Sequence, residues 1–303
     1  MREYDDDLDT FEKRGRKRRN RLTEHQRTRL ADLCEDMASD ADAPVFGDRR
    51  TNWDRAEHGP TPRPDWVVTD LAAEDTELGV LKTGKEADVH LLRRSVGTAG
   101  PSCVVAAKRY RTADHRLFHR DAQYLEGRRM RRSRENRAMA SRSSFGRNLL
   151  AEQWAVAEFA ALGTLWSAGV PVPYPVQRDG TELLLEFVGD AAGEAAPRLA
   201  ELRPDADELR HLWQRMLEAM AALAAEGYAH GDLSAYNVLV HEGEPVLIDL
   251  PQVVDLAANP SGPEFLARDV RNLTGWFAAR GLPGDVVDPQ AVTAMLLAEA
   301  GLA

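Results

Sequence analysis

Three polar side chains between Tyr228 and Asp249 have the types and spacing needed for phosphate chemistry. Asp232 and Asn237 lie five residues apart, and Asp249 ends the next apolar run. Mg²⁺ takes oxygen ligands, so the Asn237 amide and the Asp249 carboxylate suit it, with water and phosphate oxygens completing the shell. Asp232 is then left to accept a proton. This division of roles is the one that phosphoryl transfer from ATP requires.

The same residues fit the pattern of a kinase catalytic loop, H-R-D-x-x-x-x-N followed by a metal-binding aspartate. His230, Asp232, Asn237 and Asp249 occupy its positions, with Gly231 where arginine is usual. An ordinary hairpin with polar ends is the alternative. The joint fit of these positions at one spacing favours the catalytic interpretation.

A hairpin is predicted to bring the metal ligands together. Val238–Val240 and Val246–Ile248 indicate two short buried strands, turned at residues 242–244. Asn237 precedes the first strand and Asp249 follows the second. We therefore expect both at the same end of the hairpin.

An upstream glycine-containing loop is a candidate for binding the nucleotide phosphates. Leu78–Leu81 and Val89–Leu92 are predicted strands, joined by residues 82–88. In the kinase pattern G-x-G-x-x-G-x-V, Gly84 takes the middle glycine and Val89 the valine, with Lys85 in the loop. A plain hairpin loop is the alternative. Gly84, Lys85 and Val89 are expected to contact ATP.

Lys108 ends the predicted strand 104–108, where a lysine costs stability unless its charge is matched. A helix is predicted over residues 148–168, and on it Glu158 is the first choice for an ion pair with Lys108 and Glu152 the second. A solvent-facing glutamate is the alternative for either. The apolar face predicted for this helix consists of Leu150, Trp154, Ala157, Ala161 and Leu165.

The remaining chain predicts an α+β fold with two lobes. Residues 181–189 form a predicted strand that leads into a linker, where the backbone of Glu186 and Val188 would meet the adenine edge. Helices are predicted over residues 205–226 and 264–280, each with an apolar face. A last helix opens at Asp288-Pro289 in the favoured cap-then-proline order.

Composition limits the class of protein. The 303 residues are 43% hydrophobic, enough for one large or two modest cores. Apolar runs are far shorter than the ~20 residues of a membrane span. The two cysteines, Cys34 and Cys103, do not indicate a disulfide framework, so we expect a reducing cytoplasm and no membrane. The net charge of −10 argues against a nucleic-acid binder as a whole.

Three regions are predicted. Residues 1–66 form a polar, partly disordered extension, residues 67–188 the first lobe and residues 189–303 the second. The first lobe contains a flexible, arginine-rich insert at about 111–147. The basic run at residues 13–19 and the insert could contact RNA through its phosphates, although solvated flexible segments fit the same composition.

Taken together, these motifs resemble the RIO family of atypical serine/threonine protein kinases, in particular its first type, in a bacterial member. The resemblance covers residues from about 67 to 280. It is carried jointly by Thr83-Gly84-Lys85-Glu86-Ala87, Ala107-Lys108, Trp154 to Glu158, Ala168-Gly169-Val170-Pro171-Val172-Pro173, His230 to Asn237, Ile248-Asp249-Leu250-Pro251-Gln252 and Glu264-Phe265-Leu266-Ala267-Arg268-Asp269.

The resemblance implies a small two-lobed kinase fold without the usual activation segment and peptide-binding lobe. By it, Asp232 is the catalytic base, Asn237 and Asp249 bind Mg²⁺, and Lys108 meets the ATP phosphates while Glu158 pairs with it. Family members autophosphorylate on serine, and some hydrolyse ATP through a phosphorylated aspartate at the position of Asp249. Archaeal and eukaryotic relatives act in maturation of the small ribosomal subunit, which implies a ribosomal or RNA partner.

We therefore expect an ATP- and Mg²⁺-dependent serine/threonine protein kinase that phosphorylates itself and another protein. Two alternatives stay open. A small-molecule phosphotransferase of the aminoglycoside or choline type shares the His-Gly-Asp, Asn and Asp pattern, but it would need a longer second lobe with an acidic acceptor pocket. A non-catalytic nucleotide-binding switch is disfavoured because all the expected catalytic residues are present.

Overall fold

The structure, a computed structural model, describes residues 49–111, 144–190 and 192–302, without the side chains of residues 144–150. These residues form an antiparallel sheet, two small strand pairs and four helices. The expected α+β architecture is confirmed. Predictions for residues 1–48, including the first basic run, and for most of the arginine-rich insert lie outside the described residues.

A seven-stranded sheet forms the first lobe. Each strand pairs antiparallel with its neighbours in the order β1-β3-β4-β5-β7-β6-β2. The predicted strands are all present, and those around the glycine loop are longer than expected. The bounds are β1 Arg49–Arg50, β2 Glu57–His58, β3 Glu74–Thr83, β4 Ala87–Ser95, β5 Ser102–Tyr110, β6 Pro175–Asp179 and β7 Glu182–Glu186.

The segment 49–58 contributes two strands to this sheet, although the first lobe was predicted to begin only at residue 67. β1 pairs with β3 at one edge, and β2 pairs with β6 at the other. Between them, Trp53 packs against Leu92, Val105 and Tyr174 on one face of the sheet. The polar composition of this segment concealed its strands, because they are only two residues long and sit at sheet edges.

Helix α1, Ser144–Ser167, packs against the opposite face of the sheet. The face predicted for this helix is only partly correct: Leu165 is buried, but Trp154, Ala157 and Ala161 are half-buried. Its buried apolar side chains are Ala151, Ala155, Phe159, Leu162 and Leu165. Glu158 lies on the same buried side, which places a carboxylate under the sheet.

The second lobe is built from three helices around one apolar core. They are α2 Ala206–Ala225, α3 Gly262–Ala278 and α4 Pro289–Glu299, close to the predicted ranges. Asp205 caps α2 and Asp288 caps α4 through backbone N–H groups of the first turn. Packed with them are the strand pairs β8–β11 (Tyr228–Ala229 and Val254–Asp255) and β9–β10 (Val238–His241 and Glu244–Leu247).

The part of the chain that the structure describes contains no candidate for a membrane-spanning helix. None of the helices there combines the length and the apolar composition that crossing a bilayer requires.

Candidate active site

A cleft of about 1180 Å³ lies between the sheet and the helical lobe. Its lining includes nearly every residue that the sequence singled out, from the glycine loop to the aspartates of the catalytic stretch. Asn237 is not among the lining residues. The cleft therefore brings together Gly84, Lys85, Val89, Lys108, Glu158, Glu186, Val188, Asp232 and Asp249.

The glycine loop is a tight turn between β3 and β4. Gly84 N–H donates to the carbonyl of Ala87 across 2.9 Å. A Cβ atom at Gly84 would lie 2.8 Å from that carbonyl oxygen, a contact that side chains essentially never make. Glycine is thus required at this position for the turn itself, and Lys85 is exposed beside it.

Lys108 holds two carboxylates from different parts of the chain. Its Nζ lies 2.6 Å from Glu158 Oε1 on α1 and 2.8 Å from Asp249 Oδ1 after β10. Burial by itself would lower the pKa of Lys108, but the charges of Asp249 and Glu158 outweigh it and hold that pKa well above its usual range. The ammonium stays charged and ties the sheet to the helical lobe.

Glu158 is only 1% exposed, and its carboxylate accepts three hydrogen bonds. Lys108 Nζ and the backbone N–H of Leu250 donate to Oε1, the latter across 3.1 Å, and Tyr110 OH donates to Oε2. Burial raises the pKa of Tyr110, and the neighbouring charge of Glu158 raises it further. Tyr110 therefore stays protonated and remains a donor. The predicted Lys108–Glu158 pair is present, and Glu152 is exposed instead.

Asp249 is held as a carboxylate in an uncommon backbone conformation. The charge of Lys108 outweighs burial and keeps the pKa of Asp249 well below its usual range. Its φ of +70° is in the left-handed region, which residues other than glycine rarely adopt. Such strain is concentrated at functional sites, where it aims a side chain.

The predicted hairpin forms, and Asn237 and Asp249 lie at the same end of it. Val238 pairs with Leu247 at its end, and Ile248 N–H donates to the Asn237 carbonyl across 3.0 Å. Asn237 Nδ2 donates to the backbone carbonyl of Asp232 across 2.9 Å, so that its Oδ1 is the atom left for a cation.

Asp269 on α3 fixes the backbone of the catalytic loop. It accepts from Gly231 N–H across 2.7 Å and from Leu233 N–H across 2.9 Å. These two amides flank Asp232, so the backbone position of Asp232 is set by a side chain 37 residues further along the chain. Burial raises the pKa of Asp269, partly opposed by His230 and by the two amides.

Sequence reasoning gave no individual role to Tyr110 or Asp269. Both had a signal in the sequence. Tyr110 is two residues after Lys108, and alternate residues of a strand face the same side. Asp269 interrupts the apolar face formed by Phe265, Leu266, Val270 and Leu273, and a carboxylate at such a position needs partners.

The donor set of the cleft fits magnesium-bound ATP. Asp249 and Asn237 provide hard oxygen ligands, and Lys108 provides a positive charge for phosphate oxygens. No group of three or more histidine, cysteine, aspartate or glutamate side chains suited to a metal occurs among the described residues.

Comparison with known proteins identifies the family. The sequence profile of the RIO domain matches residues 102–291. The RIO-type serine/threonine-protein kinase Rio1 of Haloferax volcanii is 35% identical over 208 residues, 68% of this chain and 65% of that protein. Serine/threonine-protein kinase RIO1 of Saccharomyces cerevisiae is 29% identical over 223 residues, 67% of this chain and 44% of that protein. Rio1 of Thermoplasma acidophilum is 31% identical over 145 residues, 48% of this chain and 74% of that protein.

The match thus spans just under two thirds of the Haloferax protein and less than half of the yeast protein. The segment matched by the RIO profile contains the charged network of the cleft, from Lys108 through Glu158 to Asp249, together with Asp232 and Asp269. On these grounds the chain belongs to the RIO-domain family, with its kinase-like fold.

Proposed function

We propose that this protein is an ATP- and Mg²⁺-dependent serine/threonine protein kinase of the RIO type. The observation that carries the proposal is the convergence of Lys108, Glu158 and Asp249 in a cleft that also holds Asp232. The relatives from Haloferax and yeast support it, since both are named serine/threonine-protein kinases.

In this proposal the nucleotide lies along the cleft from the strand end at β7 to Asp249. Glu186 N–H already donates to Tyr174 O, and Val188 O accepts from Ala196 N–H. The Glu186 carbonyl and the Val188 amide are therefore the groups assigned to the adenine edge. Gly84, Lys85 and Val89 cover the phosphates, because they form the β3–β4 turn and its exit.

Bound Mg²⁺ would neutralise charge that develops on the phosphates during transfer. Asn237 Oδ1 and the Asp249 carboxylate would hold it, while Lys108 would share its charge between Asp249 and the phosphate oxygens. Glu158 keeps Lys108 in place through a contact that does not involve the nucleotide. These residues position the reactants before the chemical step, which is the larger part of catalysis in this class.

Asp232 is assigned the proton transfer. As the acceptor hydroxyl oxygen bonds to the γ-phosphorus, Asp232 takes the hydroxyl proton, and the bond from that phosphorus to the β,γ-bridging oxygen breaks to release ADP. Asp269 supports this step because it holds the amides on either side of Asp232. The acceptors proposed are a serine of this chain and a second protein.

Several finer roles belong to the same proposal. Turnover as an ATPase would proceed through a phosphorylated Asp249, and the partner would be a ribosomal particle or its RNA. The proposed location is the cytoplasm. Each of these follows from the family resemblance, and the contacts of the cleft agree with phosphoryl transfer in either form.

A labelling experiment tests the proposal. Purified protein with γ-labelled ATP and Mg²⁺ is expected to label itself or to release phosphate, and Asp232→Ala should abolish both. Asp285→Ala, which changes an exposed loop aspartate, serves as the matched control and should keep full activity. Equal activity in the Asp232→Ala protein would refute the assignment.

The chemistry of the label separates the finer alternatives. A phosphoserine ester survives acid, whereas an acyl phosphate on Asp249 is cleaved by hydroxylamine. A parallel panel of aminoglycosides and amino alcohols as acceptors tests the small-molecule phosphotransferase. Transfer to one of these compounds at the expense of protein labelling would replace the protein-kinase proposal.

A further inference from the structure

Two cations in the cleft, Lys82 and Arg198, have no part in the mechanism above. We propose that they form an anion clamp, which binds the terminal phosphate of ATP from opposite walls of the cleft. This inference rests on the proposed function, because it names the part of the nucleotide that the two side chains contact.

The register of the sheet places Lys82 on the wall that carries Lys108. Lys82 pairs with Val89 on β4, and Val89 pairs with Lys108 on β5. Directly paired residues of antiparallel strands project to the same face, so the three side chains form a row over the cleft. With neighbouring strands ~4.8 Å apart, the Lys82 and Lys108 backbones are about 10 Å apart.

The opposite wall carries Arg198, and its backbone is fixed to the hairpin of the metal ligands. Arg198 forms a β-bridge with Leu239 of β9, and the adjacent Pro197 carbonyl accepts from Val240 N–H across 2.9 Å. A 3₁₀ turn over residues 199–201 follows at once. Arg198 therefore keeps a constant position relative to Asn237 and Asp249.

Neither cation forms a direct salt bridge within the part of the chain that the structure describes. Lys108 contacts two carboxylates, whereas Lys82 and Arg198 form no ion pair among these residues. Burial has the largest effect on the pKa of Lys82 and lowers it; the charges of Asp249 and Glu158 oppose this effect, and those of Arg198 and Lys108 add to it. Burial also lowers the pKa of Arg198. Partly buried charges without a direct ion pair are costly, and an anion between them would reduce that cost.

The charge distribution along the cleft points to the terminal phosphate. Arg198 is bridged to Leu239, two residues after Asn237, and Lys82 lies in one row with Lys108, which contacts Asp249, so the clamp lies at the metal end of the cleft. The adenine end is assigned to Glu186 and Val188, on the far side of Lys108. In this orientation the phosphate that ATP has and ADP lacks is the one between the two cations.

Titration calorimetry on the full chain tests the clamp with MgATP, MgADP and adenosine. Lys82→Gln and Arg198→Gln are each expected to weaken ATP binding by about tenfold or more, as loss of a charged hydrogen bond does. ADP binding should weaken by less than about threefold, and adenosine binding should stay unchanged. Arg198→Lys should bind ATP more tightly than Arg198→Gln but less tightly than the unmodified protein, since lysine keeps the positive charge but cannot donate two hydrogen bonds to one phosphate as a guanidinium does.

Arg55→Gln is the matched control, because the Arg55 side chain is 80% exposed, lies between β1 and β2 and does not line the cleft. It should bind all three ligands as the unmodified protein does. Equal losses for ATP and ADP, or no loss for ATP, would overturn the clamp. Failure of the unmodified protein to bind any of the three would instead overturn the proposed function.

Thermal unfolding without nucleotide separates a clamp from a structural role. Removing an unmatched, partly buried charge should leave the melting temperature of Lys82→Gln and Arg198→Gln unchanged or higher. The rise in melting temperature caused by ATP should be smaller than in the unmodified protein, because it depends on affinity. Lower melting temperatures for both variants without nucleotide would assign the two residues to folding and would reject the clamp.

Discussion

Replacing Glu158 by glutamine tests whether one buried carboxylate organises the cleft. Glu158 Oε1 receives Lys108 Nζ and Leu250 N–H, and Oε2 receives Tyr110 OH. Glutamine keeps the size of the side chain but has one acceptor oxygen and no charge. The variant therefore loses the ion pair with Lys108 and cannot satisfy all three donors.

The expected loss of stability in Glu158→Gln depends on the contacts that Lys108 keeps. Removing one partner of a buried ion pair costs about 3–5 kcal/mol of unfolding free energy. Lys108 keeps Asp249 at 2.8 Å, so we expect the lower end of this range, about 3 kcal/mol. For a chain of this size the melting temperature should fall by about 6–12 °C. Turnover should fall at least about tenfold, because Lys108 is no longer fixed.

Urea unfolding of Glu158→Gln and Glu152→Gln provides the assay and its control. Glu152 is an exposed glutamate on the same helix, so its replacement should change stability by no more than about 0.5 kcal/mol. Tyr110→Phe removes one donor and should cost about 1.5 kcal/mol. If Glu158→Gln unfolds at the same urea concentration as Glu152→Gln, the reasoning about the buried network is refuted.

Three further outcomes are expected. Gly231 has φ of +82°, and a Cβ atom added there would lie 2.5 Å from a backbone oxygen. Gly231→Ala should therefore lower the free energy of unfolding measured in urea by about 1–3 kcal/mol. An unchanged free energy of unfolding would contradict this. Asp269→Asn leaves one acceptor for two loop amides, so turnover should fall more than ATP affinity, and equal losses would argue against a positioning role. Burial alone would raise the pKa of Glu77, but hydrogen bonds from Arg109 and His90 lower it below its ordinary value of 4.5. Glu77 thus stabilises the fold above pH 4.5, and this stabilisation is lost as the pH falls through its folded-state pKa. In urea titrations between pH ~5 and ~3, the free energy of unfolding of Glu77→Gln should therefore fall less steeply than that of the unmodified protein. An unaltered slope would show that Glu77 does not contribute.

Local sequence predicted the parts of the site that are close together in the chain. The hairpin after Asn237 follows from two apolar runs and a turn, and its register alone brings Asn237 beside Asp249. The tight turn at Gly84 is equally local. Such features depend on backbone geometry and on the alternation of side chains, which a short stretch of sequence specifies.

Long-range partners were only partly predictable from the sequence. Helix α1 is rich in alanine and apolar on several sides, so the pattern did not show fully which side is buried, and the predicted face was only partly correct. Glu158 was the first choice and Glu152 the second for the pair with Lys108, and packing of the helix against the sheet placed Glu158 beside Lys108. The strands at residues 49–58 form only because two sheet edges are there to pair with them.

The sequence by itself thus determined which residues could do chemistry, because acid, amide and lysine at these spacings have few other uses. The tertiary structure decided how those residues are held. Asp269 reaches the catalytic loop from α3, and Tyr110 and Leu250 share one carboxylate. The physical reason is that a buried charge takes its partners from whatever packs against it, and packing joins segments that no local pattern relates.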